Sequence, residues 1–207
     1  MLLLKRGKES LDKKHIVVIT GSVRPNNFTM KAVALLEDEL KKNHSLTFEI
    51  VDARQLNLPL PGISFENSSH EMLQKTVKSA MGVILASPEY HGGISSVMKL
   101  IIDNLGFPSV LAGKPVALLG VAAGSIGAIK SLEQIRSIAS HVGAIVLPGT
   151  ISIANVQEAF DGQGKCKVQE TEKRIRSVVT MLVDYIDRHI SPLIALENMV
   201  RKEKTGF

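Results

Sequence analysis

The chain has no tryptophan, and only two tyrosines and six phenylalanines among its 207 residues. That scarcity removes the aromatic platform on which proteins stack single-stranded bases. A single cysteine, Cys166, excludes an internal disulfide and fits a reducing compartment. It sits in the polar run Asp161-Gly162-Gln163-Gly164-Lys165-Cys166-Lys167 without a His/Cys cluster, so an incidental thiol is expected, not a nucleophile or metal ligand. No stretch approaches the ~18 uninterrupted apolar residues of a membrane span. Met1-Leu2-Leu3-Leu4-Lys5 is too short an apolar run for a signal peptide. A cytoplasmic protein without membrane insertion is expected.

The middle of the chain also lacks a charge of one sign. Residues 1–14 hold five basic and two acidic side chains, and residues 201–207 hold three and one. Of the 25 basic and 20 acidic residues, seventeen of each remain between 15 and 200. The net charge of +5 therefore belongs to the two ends, and no nucleic-acid partner is expected. Residues 1–14 read as a basic, mobile leader, 15–189 as one domain and 190–207 as a C-terminal tail.

What is present is a hydrophobic fraction of 44% arranged as strands alternating with helices. Ile16-Val17-Val18-Ile19, Val83-Ile84-Leu85-Ala86, Pro115-Val116-Ala117-Leu118-Leu119 and Ala144-Ile145-Val146-Leu147 are continuous apolar runs, as in parallel strands buried on both faces. Leu46 to Val51 alternates and supplies a further strand. Helical spacing predicts helices over 29–42, 71–80, 95–105, 126–141 and 170–189. A βαβ series of this kind makes a three-layer α/β sandwich whose five-stranded parallel sheet has the flavodoxin-like order 2-1-3-4-5.

Three short polar loops follow strands one, three and four: 21–29, 87–93 and 120–127. In such a sheet the carboxyl ends of the strands share one edge, and ligands bind there. The first loop crowds Ser22, Arg24, Asn26, Asn27 and Thr29 around a helix start, an anion-binding arrangement that capping alone does not require. It has no Gly-Lys-Ser/Thr, and the run Gly120 to Gly127 lacks the middle glycine of a dinucleotide fingerprint. A mononucleotide suits the loops better. With glycines at 92, 93 and 124 allowing close backbone approach to a flat ring, a flavin is the expected ligand.

Gly-Ser-x-Arg at 21–24 and Pro-Glu-Tyr-His at 88–91, in that order and after those strands, resemble the NADPH-dependent FMN reductase family, as does the segment Val97 to Asp103. The resemblance runs from about residue 15 to 189. It implies FMN phosphate held by Ser22, Arg24, Asn27, the backbone of Phe28, and Thr29. Pro88, Glu89, Tyr90, His91 and Gly92 would lie along the ribityl chain and ring, and Ala123, Gly124 and Ser125 would close over the ring's other side. It also implies NADPH or NADH as reductant, a small-molecule acceptor (free flavin, quinone, azo compound or metal oxyanion) and a homodimer or homotetramer. No catalytic side chain and no metal site are expected. Glu89 has a second reading as a salt-bridge partner of an arginine such as Arg136, and Lys99 and Asp103 read as a helix-surface pair. A flavodoxin-type electron carrier and a non-catalytic FMN-binding regulator stand as alternatives.

Overall fold

The computed structural model describes residues 14–64 and 66–205, so the expected leader lies outside the described residues except for Lys14. Its strands are β1 (Lys14–Thr20), β2 (Leu46–Val51), β3 (Gly82–Tyr90), β4 (Gly93–Ile94), β5 (Pro115–Val121), β6 (Ile145–Val146) and β7 (Ile151–Ile153). The helices are α1 (Phe28–Lys41), α2 (His70–Ser79), α3 (Ser96–Asp103), α4 (Ile129–His141), α5 (Val156–Ala159), α6 (Gln169–Tyr185) and α7 (Ser191–Thr205). A 3-10 turn follows β2, and a π-helical turn, Ile186–Ile190, joins α6 to α7.

The parallel sheet runs β2-β1-β3-β5-β6, the expected order once the small antiparallel strand β4 is set aside. The last strand is broken where Pro148 removes a donor and Gly149 adopts φ 75°; it resumes as β7, which pairs with β5 in parallel. Side chains alternate across the sheet and feed two cores. Ile16, Val18, Ile84, Ala86, Ala117 and Leu119 meet α1 and α6, while Val17, Ile19, Val83, Leu85, Val116 and Leu118 meet α2, α3 and α4. The continuous β-branched run of β1 is thus explained: both of its faces are buried. Arg176 bridges α6 to α1, donating to Asp38, Glu39 and Glu172. Cys166 is not adrift in a polar segment; it is 8% exposed, bridges Phe160 and belongs to the first core.

The second loop differs from the expectation. Strand β3 does not stop at Ala86; Ser87 and Pro88 stay in register with Gly120 and Val121 of β5, and the strand ends at Tyr90. His91 (φ 51°) and Gly92 (φ 71°) then form a two-residue turn closing a hairpin with β4. Two successive positive φ values are what a type I′ hairpin turn demands. The polar tail of β3 is therefore rigid strand, which fixes the Pro88 to Tyr90 segment against the sheet.

Candidate active site

The first loop leaves β1 at Gly21, whose N–H donates to Ala86 O at 2.8 Å and prolongs the pairing with β3. A Cβ at Gly21 would stand 2.9 Å from Met98 Cβ and 3.2 Å from Ser87 Oγ, so only glycine lets loop and α3 approach so closely. Ser95 secures that approach. Its buried hydroxyl donates to Gly21 O at 2.7 Å and accepts from Met98 N at 3.1 Å, capping α3 while tying the first loop to it. Sequence reasoning gave Ser95 no such role; its place just before an apolar helical run was the available signal.

Asn27 caps α1: its Oδ1 accepts from Met30 N at 2.8 Å, and its Nδ2 donates to Arg24 O at 2.7 Å. Those two bonds shape the loop. Around the first turn of α1 stand Ser22, 1% exposed and sharing a 3.3 Å hydrogen bond with the Tyr90 hydroxyl, and Arg24, whose guanidinium lies 5.8 Å from the Tyr90 ring centre. Thr29 is also 1% exposed, and its hydroxyl has no hydrogen-bond partner. A buried, unpaired hydroxyl costs about 1–3 kcal/mol and calls for a ligand. It sits at the positive end of a fourteen-residue helix, next to unpaired first-turn N–H groups.

Glu89 does not pair with Arg136, which donates instead to Leu147 O. Its Oε2 accepts from Ser131 N at 3.0 Å in the first turn of α4, and Ser131 Oγ donates to Pro88 O at 3.3 Å. Gln134, one turn further, accepts from Ile94 N at 2.8 Å. The β3–β4 hairpin is thus clamped to the start of α4. Lys99 and Asp103 form the expected pair at 2.7 Å on α3.

The third loop is held from beneath. Asn155, in the left-handed region at φ 45°, donates its N–H to Gly124 O at 3.2 Å; Val156 N donates to Ala122 O at 3.0 Å, and Gln157 Nε2 to Ala123 O at 3.0 Å. These three residues follow β7 and escaped sequence reasoning, because the break at Pro148 hid the strand that delivers them. Gly127 (φ 80°) is required by both conformation and contact, since a Cβ there would stand 2.4 Å from Ser152 Oγ. Gly124 is different. A Cβ there would meet nothing within 4 Å and would project into open space.

Two adjoining clefts collect the expected residues. The first, about 400 Å³, is lined by Ser22, Arg24, Asn27, Phe28, Thr29, Pro88, Glu89, Tyr90 and Ala123, together with Pro25, Asn26, Val121, Ala122 and Val156. The second, about 330 Å³, is lined by His91, Gly92, Gly124, Ser125, Ile126 and Gly127, and it shares Glu89, Ala122 and Ala123 with the first. The three loops therefore form one composite trough on the carboxyl edge of the sheet. Two larger hollows lie elsewhere on the molecule: one of about 730 Å³ between α1 and α6 holds none of the loop residues, and one of about 460 Å³ beside α1 holds only Asn26 and Asn27 of them. Among the described residues, no group of three His, Cys, Asp or Glu is placed to hold a metal ion.

The residues fit FMN on structural grounds: an orphaned buried hydroxyl and a helix start at one end suit a phosphate, and a glycine facing open space at the other suits a flat ring. Comparison with known proteins agrees in kind. An NADPH azoreductase of Bacillus sp. is 29% identical over 174 residues, covering 80% of this chain and 93% of that protein. A 2-hydroxy-1,4-benzoquinone reductase of Burkholderia sp. is 23% identical, covering 84% and 98%. Among solved structures, the flavoenzyme NAD(P)H:(acceptor) oxidoreductase FerB of Paracoccus denitrificans superimposes with a TM-score of 0.70 at 23% identity, over 85% of this chain and 98% of that one. The profile of the NADPH-dependent FMN reductases matches residues 15–158, from the first core strand through the helix behind the third loop, and the chain belongs to that family.

Proposed function

We propose that this oxidoreductase holds FMN in the composite trough and uses NAD(P)H to reduce a small oxidised acceptor: a free flavin, a quinone, an azo compound or a metal oxyanion. The observation that carries the reading is the Thr29 hydroxyl, buried and unpartnered at the N-terminus of α1. When bound, FMN supplies the redox chemistry, accepting reducing equivalents from the pyridine nucleotide and releasing them to the acceptor. The chain's own residues bind and orient. Ser22, Thr29, Arg24 and the N–H groups of Phe28 and Thr29 surround the phosphate with donors, and Asn27 sets the loop from which they act. Pro88, Glu89, Tyr90, His91 and Gly92 form a rigid wall fixed by strand pairing and the Glu89–Ser131 clamp. Ala123, Gly124 and Ser125 close the opposite side, with exposed positions that leave room for the acceptor.

This reading includes a homodimer or homotetramer, supported by exposed apolar side chains beside and just beyond the end of α3: Leu60 at 62%, Ile63 at 58% and Phe107 fully exposed. A cytoplasmic location is supported by the lone cysteine, and no described helix is long and apolar enough to cross a membrane. The test is an absorbance titration of the purified chain with FMN, followed by anaerobic NADPH. Flavin bands that shift on binding and then bleach are expected. Bound flavin that ignores both NADPH and NADH would refute the reductase and favour a carrier. Failure to bind FMN, with no FMN-dependent NADPH oxidation, would refute the site as well.

A further inference from the structure

The space open to a ligand does not end at the phosphate seat. Asn26 and Asn27, which line the first cleft of the trough, also line the groove of about 460 Å³ beside α1. Asn27, Met30, Lys31 and Ala34 follow one another at helical spacing and share one side of it. Seven residues of helical rise carry that side about 10 Å from the cap of α1. Arg54, in the 3-10 turn after β2, and residues 162–164, in the turn before Cys166, complete the lining. A flavin that ends in a phosphate monoester at α1 leaves this groove unused.

Its lining holds two cations, Lys31 and Arg54, and no acidic residue. The two carboxylates nearby are taken up by the chain itself. Asp52 is 8% exposed and accepts from Nε and Nη2 of Arg54 and from its backbone N. Asp161 Oδ1 accepts from the N–H groups of Gln163 and Lys165, at 2.9 and 2.8 Å, inside its own turn. Arg54 Nη1 makes no hydrogen bond among the described residues, and Lys31 pairs with none of their carboxylates. Lys31 Nζ donates to Asp161 O at 3.1 Å and lies 4.7 Å from the ring centre of Phe28, which lines the first cleft. Cations and amides next to a phosphate seat, with Met30 and Ala34 beyond them, suit a second phosphate followed by a nucleoside. We propose that the site takes FAD as well as FMN, with the flavin phosphate at α1, the second phosphate facing Lys31 and Arg54, and the adenosine along α1. The proposal rests on the flavin reading of the trough and adds an adenylate seat to it.

Isothermal titration calorimetry of the full chain with FMN and with FAD tests this. Wild type is expected to bind FAD as tightly as FMN or more tightly. Arg54→Ala should weaken FAD binding about tenfold, through loss of a charge-assisted contact, and leave FMN binding within about twofold. Ala34→Phe, at an exposed position of α1, should fill the groove and discriminate against FAD in the same way. It leaves the Arg54–Asp52 pair untouched, so the test does not hang on that contact. FAD bound by wild type about tenfold or more weakly than FMN would overturn the proposal and leave the flavin reading of the trough standing. So would variants that lose both flavins equally, or neither. A loss of NADP+ binding in place of FAD binding would likewise overturn it and give the groove to the reductant. Binding of neither flavin by wild type would refute the trough reading along with it.

Discussion

Replacing Thr29 by valine separates the cofactor site from the scaffold with unusual directness, because the two effects have opposite signs. In the chain alone the Thr29 hydroxyl is buried and unpaired, so exchanging it for a methyl of similar shape removes a desolvation cost. Relief of about 1 kcal/mol is expected, from the low end of the cost of an unsatisfied buried group. For a domain of this size that raises the melting temperature by about 2–4 °C. With FMN the sign reverses. A hydrogen bond to a charged phosphate is worth about 1.5–3 kcal/mol, so the dissociation constant should rise roughly 10- to 150-fold.

At an FMN concentration near 100 times the wild-type dissociation constant, wild type gains about 2.7 kcal/mol from the ligand, while a variant binding a hundredfold more weakly gains about 0.4 kcal/mol. The order of the two melting curves should therefore cross between the FMN-free and FMN-saturated samples. Differential scanning fluorimetry over an FMN series, with flavin fluorescence quenching for affinity, reads both quantities. A variant that melts below wild type without FMN, yet gains as much from FMN, would show that the hydroxyl serves the fold and that the phosphate does not lie at α1.

Arg24→Ala should weaken FMN binding by about 1.5–3 kcal/mol in the same quenching titration, with little change in the FMN-free melt because Arg24 is exposed. Gly124→Val should leave the FMN-free stability near wild type, since a Cβ at this position meets nothing within 4 Å, and still obstruct flavin binding; unchanged binding would move the ring elsewhere. Gly120→Ala is the opposite case: a Cβ 2.6 Å from Ala128 Cβ should cost about 1–3 kcal/mol in urea unfolding with or without FMN. Hydrogen bonds from Arg54 hold the Asp52 carboxyl below its ordinary value. Its stabilisation is therefore complete above about pH 4 and is lost as the pH falls through the lowered folded value. Asp52→Asn should flatten that acid limb of the stability profile and leave its neutral-to-alkaline slope unchanged.

The order of the sheet was readable because parallel strands buried on both faces write themselves as unbroken apolar runs, and β1, β3 and β5 do so. The fifth strand was only half readable. Pro148 and Gly149 break it, and the continuation Ile151–Ile153, too short to carry a period, brings Asn155 and Val156 under the third loop. Likewise the polar segment Ser87 to Tyr90 read as a loop because nothing in its composition announces a strand. Pairing with β5 overrides that local preference, and the positive φ of His91 and Gly92 sets the turn.

Glu89 shows why residue types locate a site better than they assign parts within it. A carboxylate beside an anion-binding loop invites the search for a cationic partner, and an arginine such as Arg136 was a candidate by reasoning from charge. The structure gives Glu89 a backbone N–H at the start of α4, a partner with no signature in the sequence because every residue but proline carries one. The helix dipole makes that position as favourable for a carboxylate as a surface arginine. It also keeps the negative charge directed towards α4 and away from the end of the trough where Arg24 and the N-terminus of α1 stand. The same preference for anions at helix starts thus operates twice on one sheet edge. At α4 it is satisfied by the chain's own Glu89, which makes the hairpin rigid. At α1 it is left open, with Thr29 unpaired beside it, and that difference is what distinguishes a scaffold contact from a binding site.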